Sequence, residues 1–202
     1  MATWRKVLLH SCAVVFLACG SAASAKADPI IYTITAVGSG SLGANVFTNA
    51  SFTIASVADT GAVIPGGRPG FFEIRNSLTT ITVDGLPTAT FITRINVVVN
   101  QELSRVGFGA PAPPTTGMPP LFVSNPAFAT YDLTTLIGPL AGTPFFSPGV
   151  AYATTGGNFT LTAVTGATFQ ASPVPEPATM VLLSSGLAGV AAAVRRRRKI
   201  NS

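Results

Sequence analysis

Thr80-Ile81-Thr82-Val83-Asp84-Gly85-Leu86-Pro87-Thr88-Ala89-Thr90-Phe91 decides the fold class. Ile81 and Val83 alternate with Thr80 and Thr82, and Ala89 and Phe91 alternate with Thr88 and Thr90. A period of two places the apolar set on one face of a pleated strand and the hydroxyls on the other. Asp84-Gly85 stands between the two runs, and an Asp-Gly pair in that position is a strong hairpin signal. The segment therefore predicts two antiparallel strands with one face in a core.

The same period recurs on both sides. Ile30, Tyr32 and Ile34 alternate with Thr33 and Thr35; Phe52 and Ile54 with Ser51 and Thr53; Phe159, Leu161 and Ala163 with Thr160, Thr162 and Val164. Threonine suits a half-buried pleated surface. Val97-Val98-Val99 is continuous, which predicts a strand buried on both faces. Gly38-Ser39-Gly40 is expected to end the first strand, Gly66-Gly67-Arg68-Pro69-Gly70 to form a loop, and Gly156-Gly157 to turn a second hairpin. The Pro-rich stretch from Gly109 to Pro120 is expected to be an exposed connection, since proline cannot donate to a ladder. A helical or 3₁₀ turn is expected near Thr134 to Ile137. Many short strands and no helical period over the body predict an all-β fold, a single antiparallel β-sandwich of jelly-roll type.

Charge has to be read by position. The chain carries net +5, yet Arg5, Lys6, Lys26, Arg195 to Arg198 and Lys199 hold eight of its twelve basic residues. The body, residues 28–172, has Arg68, Arg75, Arg94 and Arg105 against Asp28, Asp59, Glu73, Asp84, Glu102 and Asp132, a net of −2. It has no basic stripe for phosphates, so a nucleic-acid partner is not expected. Cys12, Cys19 and His10 all lie in the first 27 residues. The body thus has no Ser-His-Asp or Cys-His nucleophile system, no zinc site of the usual type and no disulfide. No cofactor is expected.

The two ends are addresses. Arg5 and Lys6 precede an apolar stretch from Val7 to Cys19, and Ala23-Ser24-Ala25 and Ala25-Lys26-Ala27 both satisfy the small-x-small cleavage rule. Residues 1–27 read as a secretory signal peptide with a signal helix, cleaved after Ala27. A lipoprotein signal at Cys19 is the rival, although Phe16 and Leu17 before it fit that rule poorly. At the other end, residues 173–202, Pro173, Pro175 and Pro177 make a stiff extended spacer. The 17 residues from Ala178 to Val194 are an apolar transmembrane-helix candidate, about 25 Å long against a hydrocarbon core of about 30 Å. Arg195, Arg196, Arg197, Arg198 and Lys199 then form a basic stop that stays on the cytoplasmic side and places the body across the membrane. A plain single-pass anchor is one reading of this tail. A glycolipid-anchor signal is disfavoured by its basic end.

Val174-Pro175-Glu176-Pro177 directly before a short span and a basic end resembles the PEP-CTERM sorting tail of Gram-negative bacteria that produce exopolysaccharide. The resemblance covers the tail alone. It implies that an exosortase-type membrane peptidase recognises Pro175-Glu176-Pro177 and removes the tail, so that Glu176 is read by another enzyme. It also implies passage through the inner membrane and a final place at the cell surface or outside it, with exopolysaccharide or biofilm matrix as partner.

Within the body three functions are weighed. The first is a non-enzymatic surface or matrix protein. The second is a carbohydrate-binding module, for which Phe71-Phe72, Phe145-Phe146 and Tyr152 would have to be exposed as a platform. The third is a polysaccharide-acting enzyme, which needs two converging carboxylates, Asp132 facing Glu73 or Glu102. Asp84 and Asp59-Thr60-Gly61 read as turn residues, and Glu73 with Arg75, two apart on a strand, as a solvated ion pair. Calcium would need oxygen ligands assembled from distant loops.

Overall fold

A computed structural model gives the fold and describes residues 29–75, 77–111 and 119–174. Its strands in chain order are β1 (Pro29–Leu42), β2 (Asn45–Asp59), β3 (Val63–Pro65), β4 (Phe71–Ile74), β5 (Leu78–Val83), β6 (Ala89–Thr90), β7 (Asn96–Asn100), β8 (Arg105–Gly109), β9 (Leu121–Ser124), β10 (Ile137–Phe145), β11 (Ala151–Thr154) and β12 (Gly157–Pro173). Two 3₁₀ turns, Thr60–Ala62 and Pro126–Thr130, complete the described elements.

The all-β reading holds; the sandwich does not. The strands form one antiparallel sheet in the order β3-β4-β7-β8-β9-β10-β12-β1-β2-β5-β6, curled into a half-barrel, with β11 on the free part of β12. The join is β10. Ile137–Gly142 pairs with β12, and Thr143–Phe145 pairs with β9. A sandwich needs two sheets with separate edges; here one strand belongs to both halves and the sheet bends through it. The far end is drawn in as well. Phe91 bridges Thr154, so the end of β6 meets β11, and the ring β12-β1-β2-β5-β6-β11 closes.

Alternation explains what lies inside the curl. Tyr32, Ile34, Ile54, Ile81, Val83, Val97, Val99, Val106, Phe108, Leu121, Val123, Phe159 and Phe169 are fully enclosed in one core. Two aromatic groups anchor it. Phe159 meets Phe47, Phe52 and Phe91 within the ring. Phe169 meets Tyr32, Phe128 and Tyr131 beneath the 3₁₀ turn. Edge-to-face pairs such as Phe91–Phe159, with rings 5.8 Å apart at 89°, add specificity to the apolar burial.

Several local expectations are corrected. Gly38-Ser39-Gly40 does not end β1, which continues to Leu42. The β1–β12 register slips between Val37 and Gly38 and between Ser39 and Gly40. A Cβ on Gly38 would strike the Ala163 carbonyl, and one on Gly40 the Thr160 carbonyl. The glycines let a bulged β12 backbone approach, the usual meaning of glycine inside a strand. The same bulges turn Ala163 out to solvent, against the inward placement its alternation predicts. The 3₁₀ turn falls at Pro126–Thr130 and not at 134–137, because Asn125 accepts from the Ala127 N–H at 2.9 Å and Pro126 presets the first φ. The Pro-rich connection is only partly exposed: Gly109 pairs in β8, Ala110, Pro119 and Pro120 are buried, and residues 112–118 lie outside the described ones. The Asp84-Gly85 turn forms as expected, with Gly85 at φ +77° and the Leu86 N–H donating to Val83 O at 2.9 Å. The Gly156-Gly157 hairpin between β11 and β12 forms too.

Candidate functional site

Two places on this body bear on function. The first is its exit point. β1 begins and β12 ends at the same place, with Ile30 opposite Pro173, and the Val174 N–H donates to Pro29 O at 3.2 Å. Both addresses therefore attach to one end of two adjacent central strands, and Val174 is still tied to the sheet. The remaining residues of the expected motif, Pro175, Glu176 and Pro177, lie outside the described residues. So do the helix over 178–194, the basic stop Arg195 to Lys199 and the cleavage residues Ala25 and Ala27. Among the described residues no helix is long and apolar enough to cross a membrane.

The second place is a groove of about 370 Å³ on the face of β4, β7, β8, β9 and β10 turned away from the core. It is a product of register. Glu73 stands opposite Val98, Val98 opposite Gly107, Gly107 opposite Phe122, and Phe122 opposite Phe145, so these five share one row across the sheet. The next row carries Phe71, Asn100, Arg105 and Ser124. Directly opposed residues point to the same side. Glycine opens the trough. A Cβ on Gly107 would lie 2.7 Å from Phe122 Cδ1, and one on Gly109 3.5 Å from Phe122 Cζ. The Phe122 ring thus lies down along β8 where side chains are missing.

Charge in the groove is held in place. The Arg105 guanidinium sits 4.1 Å from the centre of the Phe145 ring, and its Nε donates to Ser124 Oγ at 3.1 Å. Arg68 sits 5.7 Å from the Phe71 ring. Cation–π stacking uses the flat face of a guanidinium and leaves its in-plane Nη–H groups directed outward, toward an acceptor. Glu73 is the carboxylate of the groove, and it is neither solvated nor free. Its side chain is only 12% exposed; Arg75 Nε donates to its Oε1 at 2.7 Å and Asn96 Nδ2 to its Oε2 at 2.9 Å. Asn96 is 3% exposed, and its Oδ1 has no hydrogen-bond partner among the described residues. A buried acceptor left unpaired costs free energy, on the order of 1–3 kcal/mol.

The aromatic candidates divide along the strand period. Phe71 and Phe145 line the groove, while Phe72 and Phe146 pack on the core. Tyr152 is buried, which removes it from any platform. Phe122, Asn96 and Arg105 were not singled out by the sequence, although Arg105-x-Gly107-x-Gly109 already says that this strand gives up side chains on one face. The carboxylate candidates do not gather. Neither Glu102 nor Asp132 lines the groove, and Asp132 is occupied at its own turn by the Thr134 N–H and hydroxyl. The Thr134 hydroxyl bond, opposed by burial and helped by backbone N–H bonds, holds the Asp132 carboxyl below its ordinary range. Asp59 accepts from the Gly61 N–H at 2.7 Å. Among the described residues no three acids, histidines or cysteines come together as metal ligands would.

The last strand, β12, ends at Pro173, where the proline-containing tail begins. A family model for the PEP-CTERM protein-sorting motif matches residues 173–198, so the chain carries a PEP-CTERM sorting motif. The motif marks an exported protein that exosortase, a membrane protein, processes. No curated protein and no solved structure matches the chain.

Proposed function

We propose that the chain is a non-enzymatic protein of the cell surface or extracellular matrix, associated with exopolysaccharide and biofilm. The leader is cut after Ala27, the apolar span at 178–194 holds the precursor in the inner membrane with Arg195 to Lys199 inside, and exosortase reads Val174 to Pro177 and removes the tail. The sorting motif at residues 173–198 carries this reading. Two properties of the body support it. Its one core needs no disulfide, and Glu73, the carboxylate lining its groove among the described residues, is paired with Arg75 and hydrogen-bonded by Asn96.

Intact mass and location of the protein from its host, beside a variant with Pro175 and Glu176 replaced by alanine, test the reading. The native protein is expected to lack both ends and to lie beyond the inner membrane, with the variant keeping its tail. A native form that retains Arg195 to Lys199 in the inner membrane would make the tail a plain anchor and sink the proposal.

A further inference from the structure

We infer that the outer groove binds an acidic saccharide, with a sugar ring laid on Phe122 and a carboxylate taken by Arg105. The inference deepens the surface-protein reading and rests on it for the supply of the polymer.

Three features of the groove point to the same ligand. The first is the flat Phe122 ring, placed over Gly107 and Gly109. An aromatic face packs against an apolar sugar face, and it is half-buried here with Phe71 and Phe145 on either side. The second is the pair of arginines. Arg105 is pinned by Phe145 and Ser124, so its fork is preorganised and loses little freedom on binding. With Nε on Ser124, the Nη edge of the planar fork is left to meet a carboxylate in a bidentate pair. Arg68 gives the β4 side a second cation, which suits a ligand that repeats its charge, a polymer of sugar acids. The groove's own carboxylate does not repel such a ligand, because Arg75 and Asn96 already hold Glu73. The third is Asn96 Oδ1, a buried acceptor without a partner among the described residues. A hydroxyl donor is what it lacks. Phosphate offers the ring no apolar face; a hydroxylated ring with a carboxylate fills the ring face, the arginine and this acceptor together.

The exported protein, purified from its host, would be titrated calorimetrically with oligogalacturonate, with neutral dextran oligomers and with inorganic phosphate. Saturable binding to the uronate oligomer, weakened by salt and absent for dextran, is expected. Arg105→Ala should weaken it roughly ten- to hundredfold, the weight of charge-assisted hydrogen bonds, and Arg105→Lys should restore only part. Arg68→Ala sits in the loop before β4, away from the core, and should weaken long oligomers more than the monosaccharide. Melting curves for both variants should match the native one. Equal binding of phosphate would make the groove a simple anion site, equal binding of dextran would make it a neutral stacking site, and native affinity in both arginine variants would remove it; each overturns the proposal. Sorting fails separately: a protein that binds uronate yet keeps its tail loses the surface reading and retains the site, and one correctly exported that binds nothing does the reverse.

Discussion

A tyrosine hydroxyl in this body has nowhere to ionise. All three tyrosines of the chain are enclosed. Burial is the main cause in each case. It pushes Tyr152 up to about 12, and Tyr32 and Tyr131 higher still, the last two also by nearby negative charge. Tyr32 donates to Leu133 O at 2.6 Å and Tyr131 to Thr135 O at 3.0 Å, bonds that need the protonated form. The folded values lie above the unfolded value of 10.0, so the stabilisation is complete below pH 10 and is lost as pH rises through the folded values. A spectrophotometric titration should therefore show no phenolate near pH 10 and then a cooperative rise together with loss of the β-sheet signal; separate early ionisation would contradict the packing. Asp132 works in the opposite direction. Its carboxyl lies low, so its contribution is present above the ordinary carboxyl range and fades as pH falls through the lowered value. In the ring core, Phe159→Ala removes the side chain that Phe47, Phe52 and Phe91 all touch and should cost about 3–5 kcal/mol in a denaturant melt.

Among the elements, β1, β2, β5 and the first part of β12 were legible because one face of each is buried and the other is wet, the condition under which a period of two shows in sequence. What partners they choose was not legible. Alternation fixes a strand's inner face and says nothing about which edge it meets, so nothing in Ile137 to Phe145 foretells a strand shared between two halves, still less one containing Pro139 and Pro144. The groove was half visible for the same reason: Phe71 and Phe145 stood out as aromatics, whereas the pairing of Phe145 with Phe122, and the placing of Phe71 in the neighbouring row on β4, are matters of register. The tail was legible at once, since its signal is local. Its attachment was not. Pro173 still pairs in β12 and Val174 still bonds Pro29 O, so the matched motif starts inside the last ladder rungs. We expect that a peptidase that needs the chain before Pro175 extended has to open those rungs, each net bond costing about 1 kcal/mol. Inserting a short Gly-Ser segment between Ser172 and Pro173 frees the motif from the sheet while leaving it intact. Pulse-chase labelling should then show faster conversion of precursor to mature protein; an unchanged rate would mean that the end of β12 is already open when the peptidase arrives.

For the molecule as a whole the decisive contact joins the beginning to the end. β1 lies between β2, its neighbour in sequence, and β12, the last strand of the body. Ile34 opposes both Ile54 and Phe169. Such pairing closes the longest possible loop, and contacts of that separation form slowly, because the chain entropy is lost before the contact repays it. β12 also carries β10 and β11 on its other edge. Without β12 the half built on β7, β8 and β9 has no strand pairing with the half built on β1, β2 and β5 among the described residues, and the loss of Phe159 and Phe169 leaves both aromatic groups without a centre. Folding is therefore expected to wait until the whole body has been exported, and to be all-or-none. Two truncations test this. A chain ending at Val174 keeps every rung and should melt in a single transition at the temperature of the mature body. A chain ending at Gly156 keeps ten complete strands together with β11, yet should show neither a cooperative melt nor a protease-resistant core. Survival of a protected fragment spanning β1 to β5 in the shorter chain would show that the β1-β2-β5 half folds without β12 and that the long-range strand serves only to join the halves.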